Sequence, residues 1–351
     1  MPADSSFLLR DILAKAFLFG FSIALAMLFG EIALRALGHR GVEMLDMSER
    51  VFQVDDPVLD YRYKPNREHS MGDVVYAFNS AGFRDIEHDI KKPRGVTRVV
   101  VIGDSVTVGY GVKAADIFAS QVVRFLGDRF EVVNIAMSGT NSPQVVHLLE
   151  VEGLTYQPDV VVMNLVLNDC DFPTMYENSV AFRRSKDSQI NLLGIRIDPR
   201  VKRLLKSSAL VYFLNQHAER LIGGQDNPHR DYVLRIWNEP ENREKISDSF
   251  ERLAELRAVH GFDLLILIWP VIADFDDYAY ASIHSWVAKE AEVRGIDVID
   301  LLPSFAERGD HDTYYLSPND YFHPNAKGHE VGAKVFQRWM NERTIPSRRG
   351  S

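Results

Sequence analysis

Short apolar runs alternate with segments of helical periodicity in the part of the chain that follows residue 95. The runs are rich in Val, Ile and Leu without polar alternation, a pattern typical of parallel strands covered by helices on both faces. Strands are predicted at 98–103, 130–136, 159–166, 262–268 and 296–301. Five such strands separated by helices predict an α/β fold with a doubly wound, flavodoxin-like parallel sheet.

The helices between these strands have recognisable ends in the sequence. Ser142 followed by Pro143 predicts a helix with Ser142 as its N-cap that runs toward Gly153. A longer helix should end at Gly261, and its apolar stripe comprises Ile246, Phe250, Leu253, Leu256 and Val259. The last predicted helix carries Val331, Val335, Phe336, Trp339 and Met340 on adjoining faces. A further apolar helix is expected near 210–214.

The N-terminal segment is apolar on all sides. No charged residue occurs from Ala16 to Gly30, and apolar positions continue to Leu34. This uncharged stretch is shorter than the roughly 20 residues that span a bilayer, but Lys15 can extend its amine outward, and Glu31 and Arg35 are spaced to pair on a helix. We predict an uncleaved, single-pass membrane anchor through residues 16–34. A buried core helix and a signal peptide cleaved near 36–38 remain alternatives.

The pattern also divides the chain into regions. Residues 1–40 form the predicted N-terminal membrane anchor. Residues 41–95 contain several prolines and are predicted to be a linker with short strands that pack on the main domain. The main domain is expected at 96–343, with 344–351 as a C-terminal tail. Irregular residues 171–240 read as a lid-like insertion rather than a second domain.

Composition narrows the class of protein. The 351 residues include 40 Lys and Arg against 49 Asp and Glu, a formal charge of -9, which argues against a nucleic-acid partner. Apolar residues at 46% and charged residues at 25% are near the averages of soluble globular chains, which excludes collagen-like, disordered and multi-span classes. Cys170 is the single cysteine, so neither an intramolecular disulfide nor a cysteine-based metal cluster can form.

The first predicted strand is followed by a serine among glycines. Ser105 comes after Gly103 and Asp104, at the carboxyl end of a strand, where open α/β sheets bind ligands. A phosphate-binding loop is the alternative for Gly109 and Gly111. These glycines come several residues after the strand, and neither the acidic residue of a dinucleotide site nor the lysine of a nucleotide-triphosphatase loop follows at the required place.

A carboxylate and an imidazole follow the last predicted strand. Asp320 and His323 are three residues apart, so Asp320 can fix the tautomer of His323 and leave its other ring nitrogen free to act as a base. Two more loops open on the same edge of the sheet. Gly139 can aim a backbone N–H at a reacting oxygen, and Asn168 can present its amide. Each feature alone is common in loops, but together with Ser105 they complete a site.

These four segments resemble the SGNH, or GDSL-type, hydrolase family. The resemblance covers about residues 95–342 and lies in the order of Gly-Asp-Ser around Ser105, the loop with Gly139, Asn168-Asp169, and Asp320-x-x-His323. It implies a serine nucleophile at Ser105, a base at His323 and an orienting carboxylate at Asp320. It also implies an oxyanion hole formed by Ser105, Gly139 and Asn168. Val166 stands where the family usually has glycine, which should alter the approach to Asn168 without removing it.

The segment 78–84, Phe-Asn-Ser-Ala-Gly-Phe-Arg, is similar to members of the family found near bacterial envelope polysaccharide systems. The resemblance therefore implies a membrane-anchored esterase whose substrate is an ester such as an acylated saccharide, with its catalytic domain outside the cytoplasm. Positive charges on both sides of the anchor give no orientation of their own. An O-acyltransferase using the same acyl-enzyme and a non-catalytic polysaccharide-binding module remain alternatives. We expect no cofactor and no metal; residues 310–312 read as a hydrated loop.

Overall fold

The fold is built around one five-stranded parallel sheet. The computed structural model describes residues 5–37, 39, 51–54, 56–59, 61–170, 190–192, 195–197, 205, 207–222, 230–316 and 320–344. The strands in these residues are β1 Val51–Gln53, β2 Tyr61–Tyr63, β3 Glu68–Met71, β4 Val74–Ala77, β5 Thr97–Gly103, β6 Phe130–Ala136, β7 Val160–Val166, β8 Ile190–Leu192, β9 Ile195–Ile197, β10 Asp263–Trp269 and β11 Asp297–Asp300. The five predicted strands are confirmed as β5, β6, β7, β10 and β11, each within one residue at either end.

The α-helices in the described residues are α1 Ser5–Ala36, α2 Ser105–Val108, α3 Phe118–Leu126, α4 Ser142–Val151, α5 Ala209–Ile222, α6 Arg230–Asn238, α7 Pro240–His260, α8 Ala281–Glu292, α9 Leu302–Ala306 and α10 Ala326–Thr344. The predicted helix near 210–214 lies within α5. The shorter strands pair as antiparallel ribbons, β1 with β2, β3 with β4 and β8 with β9.

The strand order of the main sheet determines where a ligand can bind. The order is β11-β10-β7-β5-β6, with β5 parallel to both β6 and β7. In sequence order this is 2-1-3-4-5, the flavodoxin-like arrangement that the sequence predicts. The chain reverses its direction of travel across the sheet between β5 and β7. Loops after these two strands therefore diverge and leave a crevice at their carboxyl ends.

Successive side chains of each strand point to opposite faces, and both faces are buried. On β5, Val100 and Ile102 join the apolar cluster beneath α4, α6, α7 and α8, whereas Val99 and Val101 join the cluster beneath α3, α9 and α10. All four side chains are fully excluded from solvent. The uninterrupted apolar runs of the sequence reflect this two-sided burial.

Two helix predictions need correction. The N-cap of α4 is Asn141, not Ser142: Gln144 N donates to the Asn141 side chain, and Asn141 N donates to Gln144 Oε1, which forms a capping box. The helix ends at Val151, short of Gly153. On α7 the predicted stripe is buried from Ile246 to Leu256, but Val259 is 77% exposed, because at about 100° per residue it lies on the helix face opposite Phe250. The predicted residues of α10 are all buried.

The chain divides into two compact units, and the sheet belongs to the larger one. That unit contains the described residues of Leu45–His69, Val74–Ser188 and Glu219–Ser351. The smaller contains the described residues of Met1–Met44, Ser70–Asp73 and Gln189–Ala218. Much of the expected lid at 171–240 and almost all of the tail fall outside the described residues. The predicted domain boundaries stay predictions.

The smaller unit contains α1. Within it, Ile12–Ala36 has a mean hydropathy of 2.2 and none of it is buried, so by length and composition it could cross a membrane. The predicted pair forms, because Arg35 Nε donates to Glu31 Oε1 at 2.6 Å. Glu31 also accepts hydrogen bonds from Ser208 Oγ and from the backbone N–H groups of Ala209 and Leu210. A carboxylate on α1 thus caps the N-terminus of α5.

Candidate active site

Ser105 is the first residue of α2, a single turn that begins where β5 ends. Asp104 is its N-cap, and the Asp104 side chain accepts the Val106 N–H at 2.9 Å. Gly109 ends the turn with φ of 77°, in the left-handed region. A Cβ at this position would lie 2.2 Å from Ile117 Cγ2, so both the backbone conformation and the packing require glycine. The tight strand-to-helix turn places Ser105 at the carboxyl edge of the sheet.

His323 and Asp320 lie in the loop before α10. His323 Nδ1 is 2.9 Å from both carboxylate oxygens of Asp320. The backbone N–H groups of Phe322 and His323 also donate to Asp320 Oδ1, so the loop itself holds the carboxylate in place. Residues 317–319, which precede this pair in the motif, lie outside the described residues.

The fold brings these two loops together. His323 Nε2 is 2.9 Å from Ser105 Oγ, although the residues are 218 positions apart. Ser105 is 7% exposed, so its hydroxyl is at the surface of the crevice only in part. Asp320, His323 and Ser105 therefore form a continuous hydrogen-bonded series at the sheet edge, the geometry of a nucleophile, a base and a group that orients the base.

The ionisation of Asp320 favours this arrangement. Burial alone would raise the pKa of Asp320, but the hydrogen bonds and charge of His323, with the backbone donors, bring it below its ordinary value. An ionised Asp320 accepts a hydrogen bond from the Nδ1–H of His323. The lone pair on Nε2 then faces the hydroxyl of Ser105.

The two predicted oxyanion residues lie in loops that follow β6 and β7. Gly139 has a φ of 79°. The residue before it, Ser138, is held by two tyrosines: its N–H donates to Tyr63 Oη at 3.1 Å, and Tyr61 Oη donates to its carbonyl. Asn168 lies in a 3₁₀ turn, Leu167–Cys170, and its Nδ2 is 3.5 Å from Asp104 Oδ2. The Asn168 amide thus reaches the residue next to Ser105.

Two buried carboxyl groups underlie the site, and the sequence motif gives them no role. The Asp104 side chain is fully buried, and its Oδ2 is 3.0 Å from Ser105 Oγ. Burial raises the pKa of Asp104. Asp169 is also fully buried and accepts the Val166 N–H at 3.0 Å; burial first, and then the charge of Asp104, raises the pKa of Asp169 well above its ordinary value. Ser105 Oγ thus lies within hydrogen-bond distance of both Asp104 Oδ2 and His323 Nε2.

Two further side chains that can carry chemistry, Cys170 and His329, are structural. Cys170 is fully buried, with Sγ 3.7 Å from the Ile236 carbonyl oxygen, as expected of a small packed side chain. His329 is no second base, because its Nδ1 accepts the Phe118 N–H and burial lowers its pKa to about 3. Within the described part of the chain, no group of three His, Cys, Asp or Glu side chains is placed to hold a metal ion.

Tyr110 contacts the site although no sequence motif includes it. Its ring packs on the His323 imidazole with centroids 4.4 Å apart and planes inclined by 37°. Its backbone N–H donates to the Ser105 carbonyl at 3.0 Å. Tyr110 therefore touches both halves of the hydrogen-bonded series. Its position between Gly109 and Gly111 was the available signal, since glycines on either side of an aromatic residue indicate a tightly constrained loop.

A flavodoxin-like sheet with a hydrogen-bonded serine, histidine and aspartate at its carboxyl edge is the architecture of an α/β acyl hydrolase. Residues 101–331 match the GDSL-like lipase/acylhydrolase family, and the chain belongs to that family. It is a hydrolase of ester bonds, as the sequence motifs imply.

Several solved structures are similar to this chain at low identity. A catalytic variant of an acetylxylan esterase from Geobacillus stearothermophilus is 14% identical, covers 71% of this chain and 95% of that one, and gives a TM-score of 0.41. A carbohydrate acetylesterase family member from Sinorhizobium meliloti is 12% identical, with coverages of 70% and 98% and a TM-score of 0.39. An α/β hydrolase from the metagenome of Lake Arreo, Spain, is 17% identical, with coverages of 68% and 93% and a TM-score of 0.39. No curated protein sequence matches the chain.

Proposed function

We propose that the protein cleaves its ester substrate through an acyl-enzyme on Ser105. The supporting observation is the continuous series from Asp320 through His323 to Ser105, with 2.9 Å at each step. Serine is a weak nucleophile at neutral pH and needs a base within hydrogen-bond reach. In the proposed first step, Ser105 Oγ attacks the ester carbonyl and its proton passes to His323 Nε2.

His323 then returns this proton to the leaving alcohol as the carbon–oxygen bond breaks. Asp320 stabilises the imidazolium that exists between these two transfers and stays ionised throughout. In the second half of the cycle, a water molecule attacks the acyl-enzyme and gives its proton to His323. Collapse of the second tetrahedral intermediate releases the carboxylic acid and returns the proton to Ser105 Oγ.

The oxyanion of each tetrahedral intermediate needs preorganised donors. We assign this role to the backbone N–H groups of Ser105 and Gly139 and to Nδ2 of Asn168. The hydrogen bonds of Tyr61 and Tyr63 to Ser138 support the assignment, because they restrain the turn that carries the Gly139 N–H. Asn168 is restrained in its 3₁₀ turn and by its contact with Asp104.

We propose that the alcohol part of the substrate is a saccharide hydroxyl and that the acyl group is small, as in an acetylated envelope polysaccharide. This assignment depends on the resemblance of segment 78–84 to family members of envelope polysaccharide systems. The apolar α1 supports it, because an N-terminal anchor would hold the enzyme beside such a polymer. The catalytic domain would then lie outside the cytoplasm.

The test uses the full chain in lipid nanodiscs, incubated with acetylated saccharides and with short- and long-chain acyl esters of a chromogenic alcohol. We expect release of acetate from the saccharides and of the alcohol from short-chain esters, and neither reaction with Ser105→Ala. Preferred cleavage of long-chain esters would contradict the saccharide assignment. Transfer of the acyl group to a second saccharide in place of water would show an O-acyltransferase, and turnover by Ser105→Ala would refute the mechanism.

A further inference from the structure

Arg84 is a buried cation held by backbone carbonyl oxygens. The residue is 3% exposed. Its Nη1 donates to the carbonyls of Val108 and Gly109 at 3.0 and 2.6 Å. Its Nη2 donates to the carbonyls of Val75 and Val112 at 3.0 and 2.8 Å. Three of these four carbonyls belong to residues 108–112, the loop that directly follows the turn bearing Ser105.

The position of the guanidinium explains why a charge is tolerated there. The carbonyls at the end of a helix have no partner within the helix, and they carry the negative end of its dipole. Val108 is the last residue of α2 and Gly109 its C-cap. Arg84 supplies a donor to the Val108 carbonyl and a second donor to the Gly109 carbonyl, which also accepts the Val112 N–H at 3.1 Å. Burial lowers the pKa of Arg84, but a guanidinium is so strongly basic that it stays protonated at physiological pH.

Tyr76 fixes the same loop from the same side. Its ring lies 4.1 Å from the Arg84 guanidinium carbon, a cation–π contact, and its hydroxyl accepts the Gly111 N–H at 2.6 Å. Gly111 has φ of 73°, and a Cβ there would lie 1.9 Å from Leu316 Cδ2. Arg84 and Tyr76 therefore both bind the loop 108–112. At Gly111 the loop also packs against Leu316, in the segment that leads to His323.

Two contacts connect this loop to His323. The Tyr110 ring packs on the imidazole. Leu316, which lies against Gly111, donates its backbone N–H to the His323 carbonyl at 3.2 Å. A shift of the loop backbone would therefore move the imidazole relative to Ser105 Oγ.

We propose that Arg84 is a positioning residue for the reaction: its guanidinium, backed by Tyr76, fixes loop 108–112 so that Tyr110 and Leu316 hold His323 in line with Ser105. This inference rests on the proposed roles of Ser105 and His323. It gives segment 78–84 a function in the chemistry, since Arg84 is the residue of that segment that reaches the nucleophile's loop.

Lysine cannot reproduce this arrangement. The planar fork of arginine donates to several carbonyls at fixed angles, whereas the lysine amine is a single point donor. Arg84→Lys keeps the buried positive charge but loses most of the carbonyl contacts. A displacement of about 1 Å in a catalytic group costs about a hundredfold in rate, so we expect kcat to fall about ten- to a hundredfold with KM nearly unchanged.

The fold supplies a matched control in Arg98. This arginine is also fully buried and donates to the carbonyls of Asp89, Ile90 and Tyr156, but it lies at the beginning of β5, at the opposite edge of the sheet from Ser105. Its Nε also donates to Glu131 Oε2 at 2.7 Å. Arg98→Lys therefore removes the same kind of carbonyl contacts, and disturbs one carboxylate contact, far from the site. We expect its folded fraction to keep the kcat of the unmodified protein, even if its melting temperature falls.

The experiment measures kcat and KM on a short-chain ester for the full chain and for Arg84→Lys and Arg98→Lys. The folded fraction of each is determined by circular dichroism, and the rate at which a fluorophosphonate labels Ser105 is followed in parallel. The proposal predicts that Arg84→Lys lowers both kcat and the labelling rate per folded molecule. A kcat within twofold of the unmodified protein would overturn it, as would an equal loss in Arg98→Lys.

If Arg84→Lys does not fold, the kcat and the labelling rate of Tyr76→Phe test the proposal instead, because this variant removes only the hydroxyl that accepts the Gly111 N–H. The Ser105→Ala variant separates this test from that of the proposed function. If Ser105→Ala is inactive while neither Arg84→Lys nor Tyr76→Phe changes kcat, the mechanism stands and the role of Arg84 falls. If Ser105→Ala remains active, the proposed mechanism itself is wrong.

Discussion

At the scale of single residues, the proposed roles predict unequal losses of rate. Ser105 and His323 act as one unit in the proposed mechanism, so removing either should lower kcat by about a millionfold. Asn168 supplies one of three oxyanion donors, and its loss should cost about a hundred- to a thousandfold. Steady-state kinetics of Ser105→Ala, His323→Ala and Asn168→Ala on one short-chain ester would measure this order. Equal, modest losses in all three would show that the roles are misassigned.

The buried Asp169 makes the stability of the protein depend on pH. Burial and the charge of Asp104 raise the pKa of Asp169 well above its ordinary value near 4, so the folded state keeps this proton to higher pH than the unfolded state does. The contribution of Asp169 is therefore fully present below pH 4. It is lost as the pH rises toward the folded-state pKa, at up to about 1.4 kcal/mol per pH unit.

Asp169→Asn removes this titration. We expect the free energy of unfolding of the unmodified protein, relative to that of the variant, to fall as the pH rises from 4 to 7. Urea unfolding at a series of pH values measures the difference, with Asp128→Asn, an exposed aspartate, as the control for the exchange of residue type. A constant difference across this range would contradict the inferred protonation of Asp169.

The sequence was informative about residues that take part in the chemistry and less so about those that hold them. Ser105, Asp320 and His323 stand in recognisable motifs, and the fold places them within hydrogen-bond distance. Arg84 ends the segment 78–84 and Tyr110 lies between Gly109 and Gly111, but the motifs give neither residue a role. Their roles depend on which carbonyls and rings lie opposite them in space, and no local spacing encodes that information.

At the scale of elements, burial explains which predictions succeeded. The strands of the sheet are buried on both faces, so their apolar runs are long and their limits are sharp. The start of α4 was placed one residue late because Asn141 and Ser142 are both favourable N-caps, and only the reciprocal bond with Gln144 distinguishes them. Val259 continues the three-residue spacing of the α7 stripe, but each such step rotates the position by about 60° around the helix, so Val259 lies on the face opposite Phe250.

The contact of Glu31 with the start of α5 is an element-level feature that periodicity could not reveal. The spacing of Glu31 and Arg35 predicts their ion pair, which forms. The second set of partners, at residues 208–210, is more than 170 positions away. A carboxylate that accepts two backbone N–H groups at a helix N-terminus stabilises that helix by about 1 kcal/mol. Part of the predicted insertion is thereby fastened to the apolar N-terminal helix.

At the scale of the whole molecule, the order of the strands is the property from which the site follows. The positions of the motifs after the first, second, third and last strands predict one shared edge, because loops at the carboxyl ends of parallel strands open on the same side. The 2-1-3-4-5 order meets this expectation, with the β5 and β7 loops flanking the switch point. Such a prediction needs only element order, which explains why it was possible without knowledge of any side-chain contact.

The N-terminal helix leads to a last prediction, on how the molecule is held in the cell. Residues 12–36 number 25 and extend about 37 Å as a helix, enough to cross a hydrocarbon core of about 30 Å. We expect the full chain to stay with membranes through an alkaline carbonate wash and to keep its N-terminus, as intact mass would show. Leu25→Arg should weaken insertion by about 3 kcal/mol and release part of the protein, whereas Leu25→Ile should not. A mature chain that begins near residue 39 would indicate a cleaved signal peptide, and complete extraction of the uncleaved protein would indicate that the helix does not span a membrane.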